Sequence, residues 1–351
     1  MSNETATLTE PRDGAVISTL TDVQREFLRR CRTGLMVENA HIYDWIPGFT
    51  EGKNGDMTAP AVTVFRWAAG VEGDFTLEIS ADKSFFSLHR DAGPARRRRS
   101  GEYEAAATNL MIGTRYFWRV RRGDLVSEVR TFTTADEGLR QIFLQGVPNV
   151  RDMGGKTLSD GRRSRQGLLY RSQAITGEDG KYRLTEPGEN TFFNTMGIRT
   201  DLDLRADGTP AFKGGGCSVR YVRAPLDPYD IKLNDQNKAS IGTIFELLSD
   251  ERNYPVFIHC QAGADRTGTL ALLLEGILGV PEGEIVLDYD LSTLSGECER
   301  NWYENELIEF IIDDLRSVHG DGDLTYLCRA RAEALGVPAS SVDAFRRIMT
   351  E

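Results

Sequence analysis

Apolar and polar residues change rhythm along the chain, and the changes mark its elements. After a polar stretch over residues 1–15, expected to be loose, Thr21-Asp22-Val23-Gln24 has the form of a capping box. Val23, Phe27 and Leu28 then fall on one stripe, so a short helix to about Cys31 is predicted. From residue 62 the period drops to two. Residues 62–67 and 75–80 alternate, and 102–107, 116–120 and 129–133 continue the pattern with turn residues between. Short strands at this spacing predict a small β-sandwich. From about residue 141, strands and helices alternate instead. Residues 198–205, 218–222 and 256–258 read as strands. Residues 191–196, 241–248 and 267–274 read as helices, the first ended by Gly197. That order predicts an α/β domain with a central, largely parallel sheet, in which ligands bind beyond the carboxyl ends of strands. A later helical stripe, Leu307, Phe310, Ile311 and Leu315, reads as core. The chain is thus expected to be multidomain: an N-terminal arm with a short helix over 1–39, a β-sandwich over 40–136, and an α/β domain over 137–351.

One stretch carries chemistry. HCQAGADRTG, from His259 to Gly268, lies between the apolar run Val256-Phe257-Ile258 and the apolar run that starts after Thr267. A strand, a tight loop and a helix N-terminus make an anion site, because successive N–H groups can converge and the helix dipole favours negative charge. Gly263 suits the sharpest point of the curl. The backbone from Gln261 through Ala262, Gly263, Ala264 and Asp265 to Arg266 would supply the donors. The planar fork of Arg266 matches two phosphate oxygens. Cys260 sits at the same positive end, a setting that favours a thiolate nucleophile aimed at phosphorus. The Thr267 hydroxyl is placed to donate to that sulfur, and His259 is expected to hydrogen-bond backbone near Cys260 rather than to act as a base.

Composition narrows the classes. The 351 residues are 40% hydrophobic and 27% charged, as in an ordinary globular protein. The formal net charge of -11 argues against general binding of nucleic acid through the overall field. No apolar run reaches the length of a membrane span. No leader is visible, which suggests the cytoplasm; a removed leader would leave no trace, so a secreted or cell-surface protein stays open. Five cysteines, Cys31, Cys217, Cys260, Cys298 and Cys328, and four scattered histidines suggest neither a disulfide framework nor a metal cluster. No metal or cofactor is expected. The basic run Arg96-Arg97-Arg98-Arg99 reads either as a docking loop for anions or as a solvated loop tip.

His259, Cys260, Gly263, Arg266 and Thr267 resemble the signature loop of cysteine-dependent phosphatases, the protein tyrosine phosphatase superfamily. NVRDMGG, GLLYRSQAI, GIRTDLDLR and HCQAGADRTG follow in the order found in the atypical bacterial and fungal tyrosine/serine protein phosphatases. The stretches FRW, NLMIGTRYFWRVR and TFTT resemble a fibronectin type III domain as found in bacterial proteins, with Trp67 as its core Trp and Leu110 and Tyr116 flanking the corner turn. The phosphatase resemblance implies phosphomonoester hydrolysis through a phosphocysteine on Cys260, with Arg266 as the phosphate clamp. The substrate would be a phosphorylated protein or a small phosphomonoester, and inorganic phosphate would occupy the loop. Arg151, Asp152, Arg171 and Ser172 match segments that frame the site, as catalytic supports or simply as ties between loops. The general acid is left between two residues. The resemblance favours Asp265 inside the loop, whereas Asp227, between Pro225 and Pro228, fits an acid carried on a separate loop. Members active on phosphoinositides commonly carry Lys where this chain has Ala264. A phosphoinositide or inositol-phosphate phosphatase is therefore the second reading, and a protein that binds phosphorylated ligands without turnover is the third.

Overall fold

The computed structural model describes residues 6–33, 56–176, 183–212, 219–229, 231–296 and 307–351. Cys217, Cys298 and His41 lie outside the described residues. Contacts divide the chain into two units, Met1–Thr21 with Pro60–Phe143, and Asp22–Ala59 with Leu144–Glu351. The division differs from the boundaries read from sequence, because the chain crosses between the units twice before residue 60.

The first unit is made of β1 (Thr7–Glu10), β2 (Ala15–Ile17), β3 (Thr63–Ala68), β4 (Thr76–Ser80), β5 (Arg96–Arg97), β6 (Tyr103–Ala107), β7 (Arg115–Arg122), β8 (Leu125–Val126) and β9 (Arg130–Thr134), and the short β10 (Arg140–Gln141) follows. One sheet has the order β1-β3-β6-β5, the other β2-β9-β7-β4 with β8 beside β7. Thr7–Glu10, within the stretch expected to be loose, and Ala15–Ile17, at its end, are therefore paired strands. Leu8 is buried, and β1 pairs with β3 from Thr7 opposite Ala68. The two sheets share one apolar core: the Phe65 ring of one lies 5.0 Å from Trp118 and 5.5 Å from Phe132 of the other. Trp67 is fully buried, and the Tyr116 hydroxyl accepts the Met111 N–H at 2.9 Å across the turn that sequence placed there. The four arginines do not form a free tip. Arg96 and Arg97 pair with β6, Arg97 lies 2.5 Å from Glu72, and Arg98 lies 3.3 Å from Glu104, so glutamates neutralise part of the run.

The second unit holds α1 (Asp22–Arg32), β11 (Arg151–Asp152), β12 (Leu169–Ser172), α2 (Glu186–Asn190), β13 (Thr200–Asp203), β14 (Arg220–Arg223), α3 (Asp235–Leu248), β15 (Val256–His259), α4 (Asp265–Leu278), α5 (Glu282–Asp290), α6 (Leu307–His319), α7 (Leu324–Ala334) and α8 (Ala339–Met349). Five strands run in the order β11-β12-β15-β13-β14, parallel except for β11. This is the α/β arrangement expected from the alternation of strands and helices. Residues 191–196 extend an earlier start. Thr185 caps α2, and a π turn, Thr191–Thr195, follows before Gly197 at φ +63°. Phe310 is 62% exposed, contrary to the expected stripe, because Ile308, Ile311, Ile312 and Leu315 already fill the buried face of α6 at i, i+3, i+4 and i+7. Among the described residues no helix is long and apolar enough to cross a membrane.

Candidate active site

The sheet register brings the chemistry-bearing loop to the carboxyl edge. In β15, His259 lies opposite Ser172 of β12 on one side and Asp203 of β13 on the other. Cys260 follows at once and is buried. The chain then curls back over the end of β12. Gly263 has φ +70°, and a Cβ there would lie 2.3 Å from the Ser172 carbonyl oxygen. Only glycine meets both demands. α4 starts at Asp265 and is buried from Thr267 to Leu278, as its apolar sequence requires.

The orientation of each loop peptide is set from outside. The carbonyl of Gln261 accepts from Ala174 N at 3.1 Å, that of Ala262 from Asn149 Nδ2 at 3.1 Å, and that of Gly263 from Arg171 Nη2 at 3.1 Å. A planar trans peptide carries its N–H on the side opposite its C=O. The N–H groups of Ala262, Gly263 and Ala264 therefore face away from these donors. Among the described residues, no acceptor takes the N–H of Gln261, Ala262, Gly263 or Ala264. Ala264, at the N-cap of α4, offers no side-chain cap either. What results is a row of unused donors at a helix N-terminus, the setting that holds an anion. Arg266, half-buried in the first turn, has no ion pair or hydrogen bond to a described residue. The buried Thr267 Oγ1 also lacks a partner among the described residues, so the expected bond from Thr267 to Cys260 is not formed in this structure.

His259 is buried with its Nε2 2.9 Å from Asp201 Oδ1 and its Nδ1 3.8 Å from Asp203 Oδ1. The expected backbone contact is also present: Nδ1 lies 3.4 Å from the Cys260 carbonyl. Burial opposes charge on the ring, but the two carboxylates outweigh it and raise the pKa above the usual 6.5. The folded state thus holds this proton more tightly than the unfolded chain. The stabilisation is complete below 6.5 and is lost as pH rises through the higher folded value. Relative to His259→Asn, wild type should lose its Tm advantage as pH rises from 6.5 through the higher folded value, by about 2–4 °C per kcal/mol for a domain of this size. A Tm gap independent of pH would show that His259 is neutral in the fold.

The other residues singled out in the sequence divide. Arg151 and Arg171 are buried and meet at Asp288 of α5, with Arg151 Nε 3.0 Å from its Oδ1 and Arg171 Nη1 bonded to its Oδ2. Asp152 ties loops together, its two oxygens accepting the N–H of Gly154 at 2.8 Å and of Gly167 at 2.6 Å. The Ser172 hydroxyl donates to the Gln173 carbonyl. Asp265 stands in the first turn of α4 beside Arg266. Asp227 follows β14, where Asn234 donates to it at 3.1 Å and Gln236 at 3.4 Å; no bond ties it to the Cys260 loop among the described residues. Sequence reading gave no site role to Asn149, Lys156, Asp201, Asp203, Arg205, Glu275 and Asp288. Arg205 grips Asp203 with both Nε and Nη2 and reaches Gln261 Oε1 at 3.4 Å. Three of these had a signal. Asp201 and Asp203 alternate with Leu in a strand buried at every position, and Glu275 is the one carboxylate beyond the first turn of an apolar helix. Among the described residues, no group of His, Cys, Asp or Glu is placed to hold a metal ion.

With this geometry in hand, the comparisons with known proteins are specific at the level of family. The profile of the tyrosine phosphatase family matches residues 142–347, more than half of the chain. A Cupriavidus necator protein named "Putative tyrosine-protein phosphatase" is 28% identical over 181 residues, 44% of this chain and 63% of the relative, so the match spans less than two thirds of that protein. A tyrosine-protein phosphatase of Nostoc commune is 43% identical over 49 residues, 14% of this chain and 17% of its own. The core catalytic domain of the PP-IP phosphatase SIW14 from S. cerevisiae, solved with citrate, aligns over 47% of this chain and 90% of that one with TM-score 0.29 and 12% identity, a likeness too remote to bear on fold or chemistry here.

Proposed function

We propose that this chain, which belongs to the tyrosine phosphatase family, hydrolyses phosphomonoesters through a phosphocysteine on Cys260, with phosphorylated proteins, phosphotyrosine first, as its substrates. One observation carries the reading. The loop after Cys260 turns three successive carbonyls toward scaffold donors, which leaves the N–H groups of residues 261–264 and the Arg266 fork for a phosphate. Those donors match the equatorial oxygens of a phosphoryl group in flight, where positioning and charge supply most of the rate. The Cys260 sulfur attacks phosphorus, the S–P bond forms, and the ester P–O bond breaks. The departing oxygen takes a proton from an acid on the far side. Water then attacks the phosphocysteine, the P–S bond breaks, and inorganic phosphate leaves. Asp265 is the acid in this reading and Asp227 its rival. The N-terminal strands, with buried Trp67 and the Tyr116 bond to Met111, support a fibronectin type III-like β-sandwich ahead of the catalytic domain.

The test is turnover of aryl phosphates of graded leaving-group pKa by wild type, Asp265→Asn and Asp227→Asn. The variant that lacks the acid should lose about 10²–10⁴-fold on poor leaving groups, much less on good ones, and the basic limb of its pH profile should flatten. Graded loss in Asp227→Asn alone would move the acid to that loop. An inactive wild type on every phosphomonoester, phosphotyrosine peptides and lipid headgroups included, would sink the enzymatic reading.

A further inference from the structure

Beneath the loop lies a cluster of buried charge that the proposed reaction does not use. Asp288 is 1% exposed and receives three cations. Its Oδ1 lies 3.0 Å from Arg151 Nε and 3.3 Å from Lys156 Nζ, and its Oδ2 is bonded to Arg171 Nη1. Lys156 also bonds Glu275 Oε1, while Glu275 Oε2 has no partner among the described residues. Three cations against two carboxylates leave one positive charge. The excess grows because burial, with Asp288 adding to it, pushes Glu275 up to about 7. Replacing buried ion pairs by packed apolar side chains commonly costs no stability. This cluster is therefore better explained by the direction it gives to its members than by the energy it adds.

Two arms run from Asp288 to the loop. In the first, Arg171 holds the Gly263 carbonyl through Nη2 at 3.1 Å while Nη1 stays on Asp288. In the second, Arg151 Nη1 donates to Asn149 Oδ1 at 2.6 Å, which fixes the amide so that Nδ2 donates to the Ala262 carbonyl at 3.1 Å. Arg151 Nη2 also bonds the Asp288 carbonyl at 2.7 Å, so neither arginine is free to swing. α4 makes room for the first arm at Gly268, where a Cβ would lie 3.3 Å from Arg171 Nη2 and 2.7 Å from the Tyr289 ring. We propose that Asp288 is the positioning residue of the phosphate loop: through Arg171 and through Arg151 with Asn149 it sets the Gly263 and Ala262 carbonyls, and so points the N–H groups of Ala264 and Gly263 at the phosphate. The proposal rests on reading the loop as a phosphate cradle. It adds that two of the cradle's donors are aimed by one carboxylate on a different helix.

Inorganic phosphate is the probe, because its binding needs no turnover. The full chain is compared with Asp288→Asn, Asn149→Ala and the double variant by calorimetric titration, with near-UV circular dichroism as the check on folding. Asp288→Asn keeps the volume but loses the charge that holds two arginines. Its phosphate Kd should weaken about tenfold or more, and kcat/KM on p-nitrophenyl phosphate should fall about a hundredfold as the loop donors drift. Asn149→Ala keeps every charged member of the cluster but removes the Ala262 donor, together with the Arg151 Nη1 acceptor and the bond to Ser292, so it should weaken phosphate binding severalfold. Because the two residues share the Arg151–Asn149 arm, the double variant should lose less than the product of the single losses, a coupling that a merely structural role would not produce. A folded Asp288→Asn with wild-type phosphate affinity, or independent losses in the double variant, would overturn the proposal. If Asp288→Asn does not fold, wild-type affinity in Asn149→Ala overturns it alone. A wild type that binds phosphate without turnover refutes the enzymatic reading and leaves this inference standing. A wild type that binds no phosphate refutes the cradle and this inference together.

Discussion

Cys260→Ser is expected to abolish phosphomonoester turnover, by at least about 10⁴-fold, while inorganic phosphate still binds. The two halves of the result come from different atoms. The reaction needs a sulfur anion as nucleophile, and a serine hydroxyl in this loop has no base to activate it: His259 is committed to Asp201 and to the Cys260 carbonyl. The cradle is backbone, and its carbonyls are held by Ala174, Asn149 and Arg171, through bonds that do not involve the sulfur. Alkylation provides an independent check. Burial pushes the thiols of Cys31 and Cys328 up, so both stay protonated and slow to react. Among the described cysteines, iodoacetate should therefore modify Cys260 first, with loss of activity in step and protection by phosphate. Residual turnover in Cys260→Ser within tenfold of wild type would remove the phosphocysteine from the mechanism.

Arg266→Lys should cost about 10³-fold in kcat/KM although the charge is kept. A guanidinium offers two parallel donors at fixed spacing, and an ammonium offers a point charge on a flexible stem. Arg266 leaves the first turn of α4 with no ion pair or hydrogen bond to a described residue, so its fork is available to ligand rather than spent on the fold. That position also predicts small structural damage: Tm should stay within a few degrees of wild type, because no hydrogen bond or ion pair to a described residue is broken. Steady-state kinetics on p-nitrophenyl phosphate with a melting curve on the same sample would decide it. A lysine variant within threefold of wild type would show that charge alone suffices, and a large drop in Tm would show that Arg266 has a scaffold role instead.

Local pattern determined a good deal of this protein. The alternation of strands and helices from about residue 141 onward made a parallel α/β sheet the expectation, and β12, β15, β13 and β14 run parallel. The apolar run before His259 and the apolar helix after Thr267 fixed where the loop must lie, because both need burial and only the residues between can face solvent or ligand. Gly263 was legible for the same local reason: a curl that tight calls for positive φ. What sequence could not reveal was anything carried by contacts distant along the chain. The polar N-terminus became a strand because β3 offered an open edge for Thr7 to Glu10, and pairing partners leave no mark on the segment that will use them. Phe310 looked like core by its stripe, but four isoleucine and leucine positions already occupied the buried face of α6, and only packing decides between overlapping stripes. Asp288 is the sharpest case. Local pattern gives it no role, and it becomes the meeting point of Arg151, Lys156 and Arg171, 137, 132 and 117 residues away in the chain, only when the sheet and α5 close around it. Sequence marked the groups proposed for the chemistry, because a strand, a glycine and a helix start act over a few residues. The tertiary structure alone decided what aims them, because burying three cations on one carboxylate requires the whole domain to exclude water around them.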